Sequence, residues 1–259
     1  MKSKNSSDKQ NAFISCIISA DEKTKVSTSY ISKTINVLED NFVDYELIFI
    51  SSRDDEKNSS SLEDSIPPNC QNIIRVNLSR SIDKAQALVA GLDIANGDYV
   101  INLDPAYENN PEAILEMYEK SQNNNDVVQL LSTTPDPRLS LRITEKLFSL
   151  IYNRLSSTPI PQNPHESFLI SRRALNSMLE MRESIRFLDG LISYIGYNRE
   201  YISKPIPPNP RISVRDRLHS YKVGLVSFTD MLSKILYLLF FFSFLSGAAI
   251  TTNALLAKY

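Results

Sequence analysis

The first half of the chain alternates between short apolar runs and longer amphipathic stretches. The apolar runs are rich in β-branched residues, which predicts buried strands. They cover residues 13–19, 46–50, 73–76, 98–103 and 127–131. Apolar residues recur at helical spacing between these runs, which predicts helices over residues 27–38, 81–95 and 112–120. Strands that alternate with helices of this length indicate an α/β fold with a mostly parallel sheet.

The predicted sheet also indicates where a ligand would bind. In open α/β sheets, ligands bind at the carboxyl ends of the strands. Those ends lie near Ser19, Ser51, Asn77 and Asp104. We therefore expect the binding chemistry around these positions.

A helix predicted over residues 139–155 combines apolar and basic surfaces. Ile143 and Leu147 lie at helical spacing on the apolar side, and Arg142 and Lys146 share the remaining surface. A basic amphipathic helix can lie along a membrane interface. The same pattern also suits an ordinary surface helix that packs on the sheet, and the sequence leaves both interpretations open.

The C-terminal stretch is the most apolar part of the chain. Residues 235–257 contain no charged side chain, and a helix of this length can cross about 30 Å of hydrocarbon. Lysines and arginines precede it, so the positive-inside rule predicts a single-pass membrane protein with most of the chain on the cytoplasmic side. The predicted organisation is a disordered leader (1–11), an α/β domain (12–204), a basic juxtamembrane segment (205–233) and a transmembrane helix (234–257).

Composition narrows the function classes. The formal net charge is −2 and the pI is about 5.8, which gives no basic excess for nucleic-acid binding. Cys16 and Cys70 are the two cysteines, and their spacing fits neither a disulfide framework nor a metal site. A reducing compartment is therefore expected.

Several stretches together resemble a known family. They are YELIFISS (45–52), NLSRSIDKAQALVAGLDIANGDYVINLD (77–104), SFLISRRAL (167–175), RFLDGLISYIGY (186–197) and GLVSF (224–228). In this order they resemble the polyprenyl-phosphate glycosyltransferases of family 2, which include dolichyl-phosphate mannose synthases. The resemblance implies a Rossmann-like nucleotide-sugar domain of the family A glycosyltransferase type, with juxtamembrane amphipathic helices. Bacterial members often have two membrane spans, whereas this chain shows one good span.

The resemblance also implies an activity and its cofactor. Members transfer a sugar from a nucleotide-sugar to polyprenyl phosphate and use Mg²⁺ or Mn²⁺ held by a D-x-D motif. The motif falls at residues 104–106, where Asp104 is present and Ala106 replaces the second aspartate. Glu108 can substitute if the loop bends suitably, so Asp104 and Glu108 are the candidate metal ligands.

Other candidate site residues follow from the same resemblance. Ser51 and Ser52 stand where the family has nucleotide-binding aspartates, and Lys84 matches a family lysine near the donor phosphates, so these three join Asp104 as donor-binding candidates. Glu166 matches the acceptor-side carboxylate and is the candidate catalytic residue. His165 beside it is best explained as a plain loop histidine.

Basic residues are the candidates for contact with the acceptor phosphate. Arg172 and Arg173 match a basic pair of the family, and a guanidinium fork suits phosphate oxygens, although a salt bridge explains them equally well. Arg211 and Arg215 precede the membrane stretch, where anionic lipid head groups would be attracted.

Two functions therefore stay open. In the first, the chain is a membrane-anchored glycosyltransferase with an altered site. In the second, it is an inactive relative that binds a lipid, a nucleotide or a partner membrane protein, or assembles with copies of itself. The altered acidic positions favour the second, because a divalent cation prefers carboxylate oxygens.

Overall fold

Seven strands form one sheet in the computed structural model, which describes residues 9–19, 27–52, 72–78, 84–104, 111–181, 187–206, 213–228 and 231–256. The strands are β1 (Gln10–Ser19), β2 (Phe42–Ser52), β3 (Ile73–Leu78), β4 (Tyr99–Asn102), β5 (Val127–Ser132), β6 (Pro164–Ser171) and β7 (Arg199–Lys204). Their order across the sheet is β3-β2-β1-β4-β6-β5-β7. Among them β6 alone runs against its neighbours, which confirms the predicted α/β fold with a mostly parallel sheet.

The described helices flank this sheet and continue beyond it. They are α1 (Thr28–Asn41), α2 (Lys84–Ile94), α3 (Ala113–Ser121), α4 (Leu139–Leu155), α5 (Arg172–Glu180), α6 (Leu188–Tyr194), α7 (Val214–Phe228) and α8 (Met231–Leu256). Serine caps start two of them, because a serine oxygen can accept an otherwise unpaired N–H of the first turn. Ser27 accepts from the Tyr30 N–H at 3.2 Å, and Ser171 accepts from the Ala174 N–H at 3.4 Å.

Alternation along the central strand divides the core between the two faces of the sheet. Ile14, Cys16 and Ile18 of β1 pack with α1 and α3 on one face. Ile17 faces the opposite way and packs with α2, α5 and α6. A smaller cluster joins α4, α7 and the start of α6, where the Phe148 ring stacks on Tyr221 with ring centroids 3.9 Å apart.

Two of the predicted segment boundaries differ from the structure. β1 already includes Gln10, so the predicted leader over residues 1–11 overlaps a strand, and residues 1–8 lie outside the described residues. The apolar C-terminal stretch does form a helix, α8. Nevertheless, among the described residues no helix combines the length and the apolar character needed to cross a membrane, so the predicted transmembrane helix is not supported.

Candidate functional site

The candidate site lies where β4 ends and β6 begins. Because β6 is antiparallel to β4, with Asn102 opposite Phe168, its first residues reach the carboxyl end of β4. This arrangement places His165, Glu166 and Ser167 beside Asp104, two residues after the end of β4. The predicted donor-side aspartate and the predicted acceptor-side glutamate therefore lie at the same edge of the sheet.

A bulge in β6 shapes the site. Gln129 of β5 lies opposite Phe168, whereas Leu131 lies opposite Pro164, so β6 carries two extra residues over this stretch. Bulges interrupt the ladder of hydrogen bonds and re-aim side chains, and they are common next to active sites. Here the extra residues fall within the segment that carries His165 and Glu166.

Two buried side-chain amides donate hydrogen bonds to the backbone of the bulged segment. The Asn102 Nδ2 donates to the backbone carbonyl of Glu166 at 2.6 Å. The Gln129 Nε2 donates to the backbone carbonyl of His165 at 3.2 Å. Both amide side chains are 2% exposed, so they hold the bulged segment from β4 on one side and from β5 on the other.

Asp104 and His165 face each other at this edge. The Asp104 side chain is buried, and its Oδ2 lies 3.8 Å from the His165 Nε2. The Ser167 N–H donates to the His165 Nδ1 at 3.2 Å, and the Asp104 N–H donates to the Ser167 hydroxyl at 3.0 Å. A neutral imidazole whose Nδ1 accepts a hydrogen bond carries its proton on Nε2, toward the carboxylate.

The donor set at this edge fits a divalent cation that is shared with a substrate. No group of three or more His, Cys, Asp or Glu side chains in the described ranges could hold a metal by itself. Mg²⁺ is commonly bound by one or two carboxylates together with substrate phosphates and water. Asp104 supplies one carboxylate, the His165 Nε2–H faces this carboxylate as a hydrogen donor rather than as a metal ligand, and Glu108 lies outside the described residues.

The remaining donor-side candidates also lie toward this edge. Ser51 and Ser52 are the last residues of β2 and lie opposite Asn77 and Leu78 of β3. Lys84 is the first residue of α2. Their backbone positions agree with the predicted carboxyl-end location of a ligand.

Arg172 and Arg173 lie at the opposite edge of the sheet, because they follow the far end of β6. The Arg172 Nε donates to the Gly97 carbonyl at 2.9 Å. The Arg173 guanidinium donates to both carboxylate oxygens of Asp126, with Nη2 2.7 Å from Oδ2. The structure therefore does not bring this pair together with Asp104.

The ion pair at that far edge sets the charge state of Asp126. Burial raises the pKa of this carboxyl, but the hydrogen bonds from Arg173 and Ser171 outweigh burial and hold the pKa below its ordinary value. Of the two interpretations of Arg173, the structure supports the salt bridge, with Asp126 as its partner. Of the other basic candidates, Arg215 is exposed on α7 and Arg211 lies outside the described residues.

Three polar residues of the site did not emerge from sequence analysis: Asn102, Gln129 and Asp189. Asp189 lies in the first turn of α6 and accepts a 2.7 Å hydrogen bond from the Gln129 Nε2. Burial raises the pKa of Asp189 to about 6 even though the Gln129 hydrogen bond lowers it. The sequence does carry a signal for these residues. Asp189 interrupts an apolar stretch at the start of a helix, and Asn102 and Gln129 are polar residues within apolar strands.

Sequence comparisons match this chain to glycosyltransferases. The family model described as glycosyl transferase family 2 matches residues 17–179. The prophage bactoprenol glucosyl transferase homolog of Escherichia coli is 28% identical over 167 residues, which are 63% of this chain and 54% of that protein. The undecaprenyl-phosphate 4-deoxy-4-formamido-L-arabinose transferase of Pseudomonas fluorescens is 27% identical over 147 residues, 56% of this chain and 42% of that protein. The chain thus spans about half the length of the curated relatives that it matches.

A solved structure shows the same fold at lower identity. Glucosyl-3-phosphoglycerate synthase from Mycobacterium tuberculosis, in complex with Mn²⁺, uridine diphosphate and phosphoglyceric acid, matches with a TM-score of 0.57 and 16% identity. The match covers 83% of this chain and 78% of that one. At this identity the likeness establishes the Rossmann-like α/β fold.

Proposed function

The chain belongs to glycosyl transferase family 2, and from this premise we propose that it transfers a sugar from a nucleotide-sugar to a polyprenyl phosphate at a membrane surface. One observation carries the proposal. The antiparallel strand β6 brings Glu166 to the end of β4, where Asp104 lies, so the donor-side and acceptor-side carboxylates share one edge of the sheet. The relatives named for bactoprenol and undecaprenyl phosphate support the choice of acceptor.

The two carboxylates, Asp104 and Glu166, have different roles in the proposed reaction. Transfer forms a bond between an acceptor phosphate oxygen and the anomeric carbon, and it breaks the bond from that carbon to the nucleotide diphosphate. Asp104, with His165 held toward it, lies on the side of the leaving diphosphate. Glu166 orients the acceptor phosphate and takes its remaining proton, since a phosphate monoester still titrates near pH 6.

A divalent cation fits the donor side of this site. Asp104 would hold it, together with diphosphate oxygens of the donor and water. Bound there, Mg²⁺ or Mn²⁺ supplies electrostatic stabilisation of the charge on the leaving diphosphate. Ser51, Ser52 and Lys84 complete the proposed donor side from β2 and the start of α2.

The membrane part of the proposal rests mainly on α4. Phe148 and Tyr152 are buried on one side of this helix and pack in the smaller cluster. Four apolar side chains on the outer side are more than half exposed: Leu139, Ile143, Leu147 and Leu150. Arg142 and Lys146 are exposed next to this outer face. A rigidly packed helix with a free apolar face and flanking cations suits the boundary between head groups and acyl chains.

The exposed apolar side chains of α8 add to this surface. Every described side chain over residues 236–245 is exposed, and Phe240 is 73% exposed. Large exposed apolar surfaces mark interaction sites with membranes or proteins. We propose that α4 and α8 attach the chain to the lipid surface that carries its acceptor.

The second candidate function is an inactive relative that binds nucleotide or lipid. The observation that favours it is the alanine at position 106, which leaves one carboxylate where the family's metal motif has two. Affinity for a divalent cation falls when a charged ligand is lost. The experiment below therefore measures binding and turnover separately.

The test is sugar transfer to polyprenyl phosphate by the detergent-solubilised chain, with a panel of UDP-sugars and with Mn²⁺ or Mg²⁺. We expect glycolipid formation by the wild-type chain, and a loss of about 100-fold or more in Asp104→Asn, as is typical when a main electrostatic contact to the transition state is removed. Asp40→Asn, an exposed aspartate on α1, is the matched control and should retain full activity.

Calorimetry separates the two candidate functions. Mn²⁺-dependent binding of a nucleotide-sugar without any transfer would favour the inactive relative. If the chain neither binds nor transfers a sugar from any nucleotide-sugar of the panel, the proposed glycosyltransferase activity is overturned.

A further inference from the structure

Asp189 is a half-buried carboxylate that the proposed transfer chemistry does not use, yet it is connected to the site through one side chain. Its Oδ1 accepts the hydrogen bond from the Gln129 Nε2 at 2.7 Å. The same nitrogen donates to the His165 carbonyl at 3.2 Å. Gln129 therefore joins α6 to the bulged segment of β6 that carries Glu166.

The bulge explains why this connection matters. The His165 carbonyl points at β5 within a stretch where the strand register shifts between Gln129 and Leu131. A buried carbonyl without a donor costs about 1–3 kcal/mol. The Gln129 amide supplies that donor, but only while its nitrogen, rather than its oxygen, faces the strand.

An amide group has nearly the same shape in two orientations, so a neighbour must select one. If Gln129 turned over, its Oε1 would face the His165 carbonyl and the Asp189 carboxylate, which are both acceptors. An ionised carboxylate cannot donate a hydrogen bond, so it stabilises only the orientation with Nε2 toward it. Asp189 thereby excludes the orientation that would leave the His165 carbonyl without its donor.

We propose that Asp189 is a positioning residue for sugar transfer: by holding the Gln129 amide in one orientation, it fixes the His165–Glu166 segment beside Asp104. This inference rests on the proposed function for its catalytic consequence. The geometric part, an aspartate on α6 that orders a bulge in β6, stands independently of the activity.

Two substitutions separate the hydrogen bond from the charge. Asp189→Asn retains an oxygen that can accept from the Gln129 Nε2. Asp189→Ala removes the acceptor altogether. Asp40→Asn and Asp40→Ala, on the exposed surface of α1, are the matched controls.

The kinetic measurement is kcat and KM for the nucleotide-sugar in the full detergent-solubilised chain. We expect Asp189→Ala to lower kcat about tenfold or more, because small displacements of a reacting group are costly, with KM within about twofold because the donor-side contacts of Asp104 remain. We expect Asp189→Asn to stay within about threefold of wild type, which is rescue by the conservative variant. An unchanged kcat in Asp189→Ala, or equal losses in the two variants, would overturn the proposal.

Hydrogen exchange tests the geometric part without any turnover. We expect faster amide exchange over residues 165–168 in Asp189→Ala than in wild type, and no such increase in Asp189→Asn. Equal exchange in wild type and Asp189→Ala, or an increase in Asp189→Asn as large as in Asp189→Ala, would overturn the positioning role. If the wild-type chain transfers no sugar, the proposed function fails, and the exchange result still decides whether Asp189 orders β6.

Discussion

The side-chain amide of Asn102 donates a 2.6 Å hydrogen bond to the backbone carbonyl of Glu166, across the antiparallel pair β4–β6. Asn102 is almost fully buried, so this carbonyl has a protein donor in place of water. Asn102 is also the last residue of β4, and Asp104 follows two residues later. One residue thus links the end of β4 to the backbone of Glu166, between the two carboxylates that we propose for the donor and acceptor sides.

We predict that Asn102→Ala lowers the free energy of unfolding by about 1–3 kcal/mol, because the Glu166 carbonyl loses its donor and a buried side chain is truncated. Transfer activity should fall with it, since Glu166 is no longer held in place. Denaturant unfolding measures the first effect and steady-state kinetics the second. Asn123→Ala, at an exposed asparagine after α3, is the control, and equal stabilities of the two variants would contradict the assignment.

Much of the fold was predictable from the periodicity of the sequence. α4 begins and ends at the predicted residues 139 and 155, and the five predicted strands are all present. The strands bury continuous apolar runs, so local pattern and tertiary packing agree there. The direction of β6 was not predictable, because strand direction depends on which neighbour the strand pairs with rather than on its own residues.

The candidate site was predictable only in part, for the same reason. Asp104 and Glu166 could be named from the resemblance, but their proximity depends on the reversed strand and its bulge. Asn102 and Gln129 act through side-chain bonds to backbone carbonyls of β6, which are far away in sequence. No spacing rule within one chain segment reports such bonds.

We predict that Arg173→Ala lowers the free energy of unfolding at pH 7 while leaving transfer activity intact. The arginine is largely exposed, which limits the value of the ion pair, but Asp126 is buried and would lose its main partner. Because the folded-state pKa of Asp126 lies below its ordinary value, this stabilisation is present above about pH 4 and is lost as the pH falls further. Unfolding curves at several pH values measure it.

The matched control for this ion pair is Arg154→Ala, at an exposed arginine in the last turn of α4. Its effect on stability should be small and independent of pH in the same range. A large loss of transfer activity in Arg173→Ala, with the fold intact, would instead support the phosphate-contact interpretation of this arginine.

Gly97 lies where the chain passes very close to β1, and we predict that Gly97→Ala is strongly destabilising. An added Cβ would lie 2.5 Å from the Ser15 backbone nitrogen and 2.7 Å from the Phe13 carbonyl oxygen. Backbone atoms cannot move aside as a flexible side chain can, so the expected loss is about 2 kcal/mol or more. Thermal unfolding measures it.

Gly247 of α8 provides the contrast for the same substitution. A Cβ there would meet nothing within 4 Å. Gly247→Ala should therefore be neutral or stabilise the helix by up to about 1 kcal/mol. Similar melting temperatures for the Gly97 and Gly247 variants would contradict the close approach at Gly97.

Asp189 should make the protein less stable as the pH rises from about 4 to about 6. Its pKa is raised to about 6 in the folded protein by burial, so over this range the folded state holds a proton that the unfolded state has released. Glu166, Glu145 and Arg217 are the charged groups that act on it from β6, α4 and α7. We predict that Asp189→Asn removes this decline. The unfolding free energy of the variant minus that of wild type should therefore rise by about 1–3 kcal/mol between pH 4 and pH 7.5.

Chemical denaturation of wild type and Asp189→Asn at pH 4, 5, 6 and 7.5 tests this prediction. The difference in unfolding free energy between the two proteins should grow with pH and level off above about pH 6. A difference that stays constant over the whole range would mean that the pKa of Asp189 is the same in the folded and unfolded states.

The outer face of α4 gives a direct optical test of membrane contact, because the chain contains no tryptophan. Leu147 is 54% exposed on that face, so Leu147→Trp places a single tryptophan at the proposed lipid contact without disturbing the core. We predict a blue-shifted emission and quenching by brominated lipids when vesicles containing anionic lipid are added, since the indole moves from water into the acyl boundary. Val43→Trp, at a similarly exposed position on β2, should show neither change. If the Leu147→Trp protein sediments with vesicles but its emission and quenching match those of Val43→Trp, α8 alone makes the contact, and α4 is an ordinary surface helix.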